Sequence, residues 1–291
     1  MAGEPYRVDP DDPRAPPQEV WDRLTPEERA RVIASLPSEF PLSEATPPEG
    51  DPHFEAKART REVLGSYFSR IGRKVYLACE LPIYYPGEPM FAPDVMAVVE
   101  VETHSRMRWL VSDEGKGIDL ALEIHVSGNW RKDVERNVER YARLGIREYF
   151  VFDRKHLRLL GWRLEESRNS YQPVLPQHGF YPSQVLGLEL QLDGERLRFY
   201  HGGAVLQEAD EMIATLERMV EGVEQRREEL EQRLSEEMRL REEETRRREE
   251  EARLREEETR RREEETRRRE EAEHRLAQAL SELERLRGGR G

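Results

Sequence analysis

Two short apolar segments in the middle of the chain each carry one carboxylate. Residues 91–99 hold Asp94 near their start, and residues 120–126 hold Glu123 near their end. If the two segments form neighbouring strands, their carboxylates converge, and such a spot suits a hard divalent cation that prefers oxygen ligands. A metal-dependent phosphodiesterase holds magnesium against a scissile phosphate with carboxylates arranged in this way. The alternative is that Asp94 only caps or ends its strand and that His125 is an ordinary, partly buried histidine.

Composition and net charge argue against several classes of protein, among them disulfide-bonded and membrane-spanning ones. The single cysteine, Cys79, excludes an internal disulfide and a cysteine-based zinc site, which suits a reducing cytosol, and we expect a cytoplasmic location. The first residues lack the basic and apolar regions of a signal peptide, and no run approaches the 18 apolar residues of a membrane span. The net charge of −13 argues against broad, non-specific binding of duplex DNA, although it is compatible with a local basic patch.

Apolar periodicity and turn residues predict the order of the elements. Thr25 to Glu28 has the pattern of a capping box with a proline at the first helical position. A proline-rich connector follows, over residues 41–52. The remaining predicted elements are a helix over 53–71, a β-rich run over 74–85, the two carboxylate strands, a helix over 130–144, and a strand pair over 148–153 and 157–162. This order predicts an α/β domain built on a mixed sheet flanked by helices.

The C-terminal part of the chain has a different character. Leu216, Val220, Val223, Leu230 and Leu234 are spaced as in the seam of a coiled coil, and a seven-residue repeat rich in Glu and Arg follows. The pattern predicts a long charged helix that self-associates through its apolar stretches, with a charged spacer between them. We therefore expect an N-terminal extension with one short helix over 1–50, the α/β domain over 51–203, and a coiled coil or charged single helix over 204–291.

The carboxylate strands also carry a family resemblance. Phe91-Ala92-Pro93-Asp94, Leu122-Glu123-Ile124-His125-Val126 and the segment from Asp133 to Asp153 resemble the Uma-two family, whose members are classed as restriction endonucleases within the PD-(D/E)XK nuclease superfamily. The resemblance covers about residues 51–165. It implies a restriction-endonuclease-like fold and magnesium- or manganese-dependent cleavage of DNA.

The resemblance also implies roles for individual residues. Asp94 and Glu123 would be metal ligands, with Glu80 as a third acid. The superfamily lysine is expected two residues after Glu123, where this chain has His125. Members of the family often carry Ser there and a Lys on the following helix, at the position of Asn137.

Three expectations follow for the chemistry of the site. Strand alternation places His125 on the same face as Glu123, where it could replace the lysine as a base or as a positive charge. Lys132 could instead reach the site from the next helix. Asp133, Asn137 and Tyr141 share one helix face, which either lines the site or forms a polar border beside it.

Other residues have simpler interpretations. We expect His53 to cap or pack its helix, and we expect the glycines near Lys116 to form a turn.

The leading interpretation is a DNA endonuclease that pairs through its C-terminal helix. The alternative is the same fold without catalysis, acting as a coiled-coil scaffold or binding module.

Overall fold

The computed structural model describes residues 6–38, 50–128, 130–165 and 170–288, with side chains described as far as residue 282. The chain divides into two compact units, Met1–Ile213 and Ala214–Gly291. Most of the predicted proline-rich connector lies outside the described residues. The domain boundaries expected near residues 50 and 203 stay predictions.

Six α-helices are described. They are α1 (Gln18–Trp21), α2 (Pro26–Ser35), α3 (Gly50–Arg70), α4 (Val111–Glu114), α5 (Asn137–Arg143) and α6 (Ala209–Gly288), and a π-helical turn at Lys132–Arg136 directly precedes α5. The capping box predicted at the start of α2 is present, with the Thr25 hydroxyl and the Glu28 carboxylate each accepting from the other's backbone N–H.

The described strands form three sheets. They are β1 (Val75–Ala78), β2 (Ile83–Tyr84), β3 (Val95–Val99), β4 (Trp109–Leu110), β5 (Leu120–His125), β6 (Glu148–Asp153), β7 (Arg158–Glu165), β8 (Ser170–Pro173), β9 (Tyr181–Ser183), β10 (Leu188–Asp193), β11 (Arg196–His201) and β12 (Ala204–Val205). The main sheet has the order β1-β3-β5-β6-β7-β8, a second has β12-β11-β10-β9, and β2 pairs with β4. In the main sheet β5 and β6 run parallel and the other pairs run antiparallel. The predicted fold class, a mixed sheet flanked by helices and followed by a long charged helix, is confirmed.

Alternation along β5 divides its side chains between two cores. Leu122 and Ile124 pack with residues of α3 and of the second sheet. Ala121 lies in a separate cluster on the other face, together with residues of α5 and β6. Because successive strand residues point to opposite faces, Glu123 and His125 share the side of Ala121. Burying each large apolar side chain in these clusters contributes about 1.5–3 kcal/mol relative to exposure.

The run over residues 74–85 is a correction to the sequence prediction. It is not one continuous strand, because β1 ends at Ala78 and β2 begins at Ile83. Between them Glu80 adopts a left-handed backbone with φ of 49°, and its N–H donates to the carbonyl oxygen of Pro93 at 3.1 Å. Pro82 cannot donate a ladder hydrogen bond, which favours a break at this point. Glu80 therefore lies at a corner between strands and not on a strand.

The helix predicted over 130–144 is also modified. The π-helical turn widens it before α5 begins. Such single turns recur at functional sites, because they change which side chains a helix presents to its neighbours.

The long helix α6 carries the predicted apolar and charged patterns. Between Leu216 and Leu234 the seam side chains are more than half exposed. Further along, Glu and Arg four residues apart form ion pairs, such as Glu244 with Arg248 at 2.7 Å. Each pair of this kind contributes about 0.2–0.5 kcal/mol to helix stability. Among the described residues, no helix combines the length and the apolar character that crossing a bilayer requires.

Candidate functional site

Strand pairing brings three acidic residues to one end of the main sheet. Ala78 lies opposite Met96 in the β1–β3 pair, and Val95 lies opposite Leu122 in the β3–β5 pair. Extending these registers places Glu80 and Glu123 on either side of Asp94, which directly precedes β3. The predicted convergence of the three acids follows from this register.

Asp94 is held by contacts from three directions. Its Oδ2 accepts a hydrogen bond from the Ile124 N–H at 2.6 Å, and its Oδ1 lies 2.9 Å from His53 Nε2. Its own backbone N–H donates to Glu123 Oε2 at 3.3 Å. The carboxylate is thus held between α3 and β5.

A compact ligand group forms around Asp94. One ligand atom each from His53, Glu80 and Asp94 lie within 4.8 Å of one another. His53 lies on the first turn of α3 and contacts Asp94, so it is a candidate ligand in addition to the capping or packing role expected from sequence. Glu80 Oε1 also pairs with Lys57 Nζ at 2.5 Å.

Glu123 lies next to this group and is enclosed by helix α5. Its Oε1 accepts from the Tyr141 hydroxyl at 3.0 Å and from Asn137 Nδ2 at 3.4 Å. Burial raises the pKa of the Glu123 carboxyl well above its usual value, and the negative charges of Asp94 and Asp133 raise it further. Either a proton or a nearby cation relieves this concentration of negative charge.

His125 is engaged with the helix that faces β5. Its Nδ1 lies 3.0 Å from Asp133 Oδ2, and its ring packs edge-on against Trp130 with centroids 5.1 Å apart. Burial raises the pKa of Asp133, an effect that the hydrogen bond to His125 opposes. His125 shares the face of Glu123, as strand alternation predicts, while its catalytic role stays a prediction.

The row Asp133, Asn137 and Tyr141 faces Glu123 and His125 of β5, and its part in any chemistry stays a prediction. Asp133 contacts His125, and the other two contact Glu123. Lys132, just before this row, favours the ionised form of Glu123 through its positive charge and so lowers the pKa of that carboxyl. The structure thus brings together the predicted site residues, with Lys132 acting through its charge.

Sequence reasoning missed the contribution of α3. Lys57 is buried on the same face of α3 as Thr60, Leu64 and Phe68, and it follows His53 by one helical turn. A lysine within the apolar stripe of an amphipathic helix is a signal that could have identified it, because lysine is almost never fully buried unless it is paired.

The donor set fits a divalent cation. Two carboxylates and an imidazole approach one another, and a third carboxylate with a raised pKa lies beside them. Carboxylate oxygens suit Mg²⁺, Ca²⁺ and Mn²⁺, and the imidazole of His53 adds a ligand that transition metals accept more readily than magnesium does.

Comparison with known proteins identifies a family for this chain. No curated protein shows a significant match to the chain. A solved structure from Anabaena variabilis ATCC 29413, described as a putative nuclease belonging to DUF820, shares 14% identity over 49% of this chain and 76% of its own, with a TM-score of 0.38. That score does not by itself establish a common fold. A family model described as "Uma2: Putative restriction endonuclease" matches residues 43–194, just over half of the 291 residues. This match includes α3 and all three acids, and the chain therefore belongs to the Uma2 family.

Proposed function

We propose that the protein is a divalent-metal-dependent endonuclease that hydrolyses phosphodiester bonds in DNA. Asp94, Glu123 and Glu80, joined by His53, would hold Mg²⁺ or Mn²⁺. The observation that carries the proposal is the convergence of three acids at one end of the sheet, with the pKa of Glu123 raised by burial and by its acidic neighbours. Membership of the Uma2 family supports the same reaction class.

The residues around the acids have specific tasks in this proposal. A divalent cation in such a site polarises a phosphoryl oxygen and lowers the pKa of a water molecule. The Ile124 N–H orients the carboxylate of Asp94, and Tyr141 and Asn137 orient that of Glu123. These fixed contacts reduce the reorganisation that the reaction requires.

His125 is our candidate for the proton acceptor. Asp133 holds its Nδ1, so the ring is oriented for proton transfer at Nε2. In the net reaction a water oxygen bonds to phosphorus as the ester bond to the sugar oxygen breaks. One water proton ends on that sugar oxygen, which gives a sugar hydroxyl and a phosphate monoester.

We further propose that two copies of the chain pair through α6. Leu216, Val220, Val223, Leu230 and Leu234 follow one another in steps of three, four or seven residues, and all are more than half exposed. Such a seam is buried when two helices supercoil around each other. A paired nuclease would suit cleavage of both strands of a duplex.

A second candidate function is a non-catalytic scaffold that uses the same fold. Its supporting observation is that His125 and Asn137 occupy the two positions where the family resemblance implies a lysine. In that case α6 would recruit a partner, and the acids would have no role in hydrolysis.

Cleavage assays distinguish the two functions. Plasmid DNA, single-stranded DNA and RNA would each be incubated with Mg²⁺ or Mn²⁺ and the wild-type protein, Asp94→Asn or Glu123→Gln. Glu135→Gln is the matched control, because this exposed acid lies on the neighbouring π-helical turn. Metal-dependent nicking that the first two substitutions abolish and the control retains would support the nuclease. A folded protein that cuts none of the substrates with either metal would favour the scaffold.

A further inference from the structure

Lys57 is a buried cation at the edge of the candidate metal site. The residue is only 7% exposed, on the face of α3 that packs against the sheet. Removing an ammonium group from water costs free energy unless a charged partner compensates for it. Its partner is Glu80, whose Oε1 lies 2.5 Å from Lys57 Nζ.

The pairing with Glu80 does not by itself account for a buried lysine. The Glu80 side chain is 53% exposed, so water already solvates that carboxylate. An ion pair with so exposed a partner contributes little to stability. The burial of Lys57 therefore calls for a role beyond neutralising Glu80.

The position of Lys57 suggests that role. His53, one turn earlier on α3, lies 2.9 Å from Asp94 Oδ1, and its ligand atom and those of Glu80 and Asp94 lie within 4.8 Å of one another. The ammonium of Lys57 thus contacts one member of the ligand group directly, the carboxylate of Glu80. Helix α3 delivers both an imidazole and a fixed positive charge to the same end of the sheet.

A phosphodiester bound at this site would bring more negative charge to it. As the ester bond breaks, charge accumulates on the phosphoryl and leaving oxygens, and a fixed cation stabilises that state more than it stabilises the bound substrate. We propose that Lys57 is a catalytic residue whose ammonium contacts the scissile phosphate and stabilises this developing charge. The inference rests on the proposed nuclease function. It places the positively charged catalytic group of that nuclease on α3.

The test separates catalysis from metal binding and folding. Lys57→Met removes the charge while keeping most of the side-chain volume, Lys57→Gln also keeps a hydrogen-bond donor for Glu80, and Lys57→Arg keeps the charge. Arg61→Met is the control, because it removes an exposed cation one turn further along the same helix. For each variant we would measure DNA cleavage at saturating Mn²⁺, Mn²⁺ affinity by calorimetry, and the melting temperature.

The expected result is a loss of cleavage alone. Lys57→Met and Lys57→Gln should cleave about 100-fold more slowly, as when one transition-state donor is removed, with no loss of Mn²⁺ affinity, because a positive charge beside the ligand Glu80 is removed. Lys57→Arg should recover part of the rate, and Arg61→Met should cleave like the wild type. If Lys57→Met fails to fold, Lys57→Gln provides a second variant without the charge.

Three results would overturn the inference. Wild-type rates in both uncharged variants would show that Lys57 is dispensable. A parallel fall in Mn²⁺ affinity or melting temperature would assign it a structural role while leaving the nuclease function intact. A wild-type protein that binds Mn²⁺ but cuts no DNA would refute the proposed function and the role of Lys57 together.

Discussion

The hydroxyl of Tyr141 donates a hydrogen bond to Glu123 Oε1 at 3.0 Å, which links helix α5 to strand β5. The bond stabilises the charged form of a carboxylate that burial and two neighbouring acids destabilise. Tyr141 itself is buried, and burial together with the charge of Glu123 raises the pKa of its hydroxyl well above the ordinary value. The hydroxyl therefore stays protonated and remains a donor at neutral pH.

Replacing Tyr141 by Phe should make metal binding more pH-dependent. Loss of the hydrogen bond raises the pKa of Glu123 further, so the proton that metal must displace is held more tightly. We expect the pH midpoint of Mn²⁺ binding to rise by about one unit, since a hydrogen bond to a charged group is worth about 1.5–3 kcal/mol. Calorimetric titrations between about pH 5.5 and 8.5 would measure the midpoint.

The matched control is Tyr171→Phe, which removes a hydroxyl that donates to the Ile146 carbonyl oxygen. It should leave the midpoint unchanged. An equal shift in both variants would mean that a general loosening of the fold, and not the bond to Glu123, is responsible.

Glu123→Gln should stabilise the metal-free protein at neutral pH. As pH rises, the unfolded state loses its Glu123 proton first, near the usual value of 4.5, because the pKa in the folded state is raised. The contribution of Glu123 to the free energy of unfolding is therefore fully present below that pH and is lost as pH rises through the raised pKa. The neutral glutamine avoids this loss.

Melting curves at about pH 5 and pH 8, with EDTA or with Mn²⁺, would check this. At the higher pH we expect the metal-free variant to melt about 2–4 °C above the wild type, and to gain less from Mn²⁺. A variant that melts below the wild type in EDTA at both pH values would contradict the raised pKa.

Removing the imidazole of His53 should change metal preference. Imidazole is a better ligand for Mn²⁺ and later transition metals than for Mg²⁺. We expect His53→Ala to weaken Mn²⁺ binding by about tenfold and Mg²⁺ binding by much less. The control is His104→Ala, which removes an exposed imidazole. Equal losses for both metals would mean that His53 positions Asp94 without acting as a ligand.

Glu148 should be among the most sensitive residues of the fold. Only 1% exposed, it accepts hydrogen bonds from Arg163 Nε at 2.9 Å and from Ser183 and the Gln184 N–H. Glu148→Leu would leave these donors without their acceptor, and we expect a loss of about 3–5 kcal/mol in the free energy of unfolding. Urea denaturation would measure it. The exposed Glu135→Gln should change it by less than about 0.5 kcal/mol.

Pairing through α6 should depend on its apolar seam. Leu230→Asp places a charge in the middle of the seam, whereas Gln232→Asp places the same charge on another face of the helix. Analytical ultracentrifugation at micromolar concentration should give a dimer for the wild type and the Gln232 variant and a monomer for the Leu230 variant. A monomeric wild type would refute the pairing.

The sequence was informative wherever a local pattern decided the structure. Strand alternation identified β5 and placed Glu123 and His125 on one face, and the Thr25 capping box marked the start of α2. Asp94 and Glu123 could be linked because their strands are neighbours in the sheet.

Local patterns could mark Lys57 as a buried lysine of α3, but they could not show which residues it approaches. The approach of His53 and Lys57 to the acids depends on how α3 packs across the sheet, which no local spacing encodes. The π-helical turn was equally hidden, because it reflects a shift of backbone hydrogen bonds and not a distinct residue pattern. The corner at Glu80 was obscured by the β-forming residues on both sides of it.

The left-handed backbone of Glu80 lowers the stability of the fold, while its carboxylate is a candidate metal ligand. For a residue with a Cβ, this conformation costs about 1–2 kcal/mol of free energy. Asparagine adopts the conformation more readily than glutamate does. Glu80→Asn would relieve part of that cost, but it would carry no charge. The corner at Glu80 therefore combines a strained backbone with a negative charge beside Lys57 and Asp94.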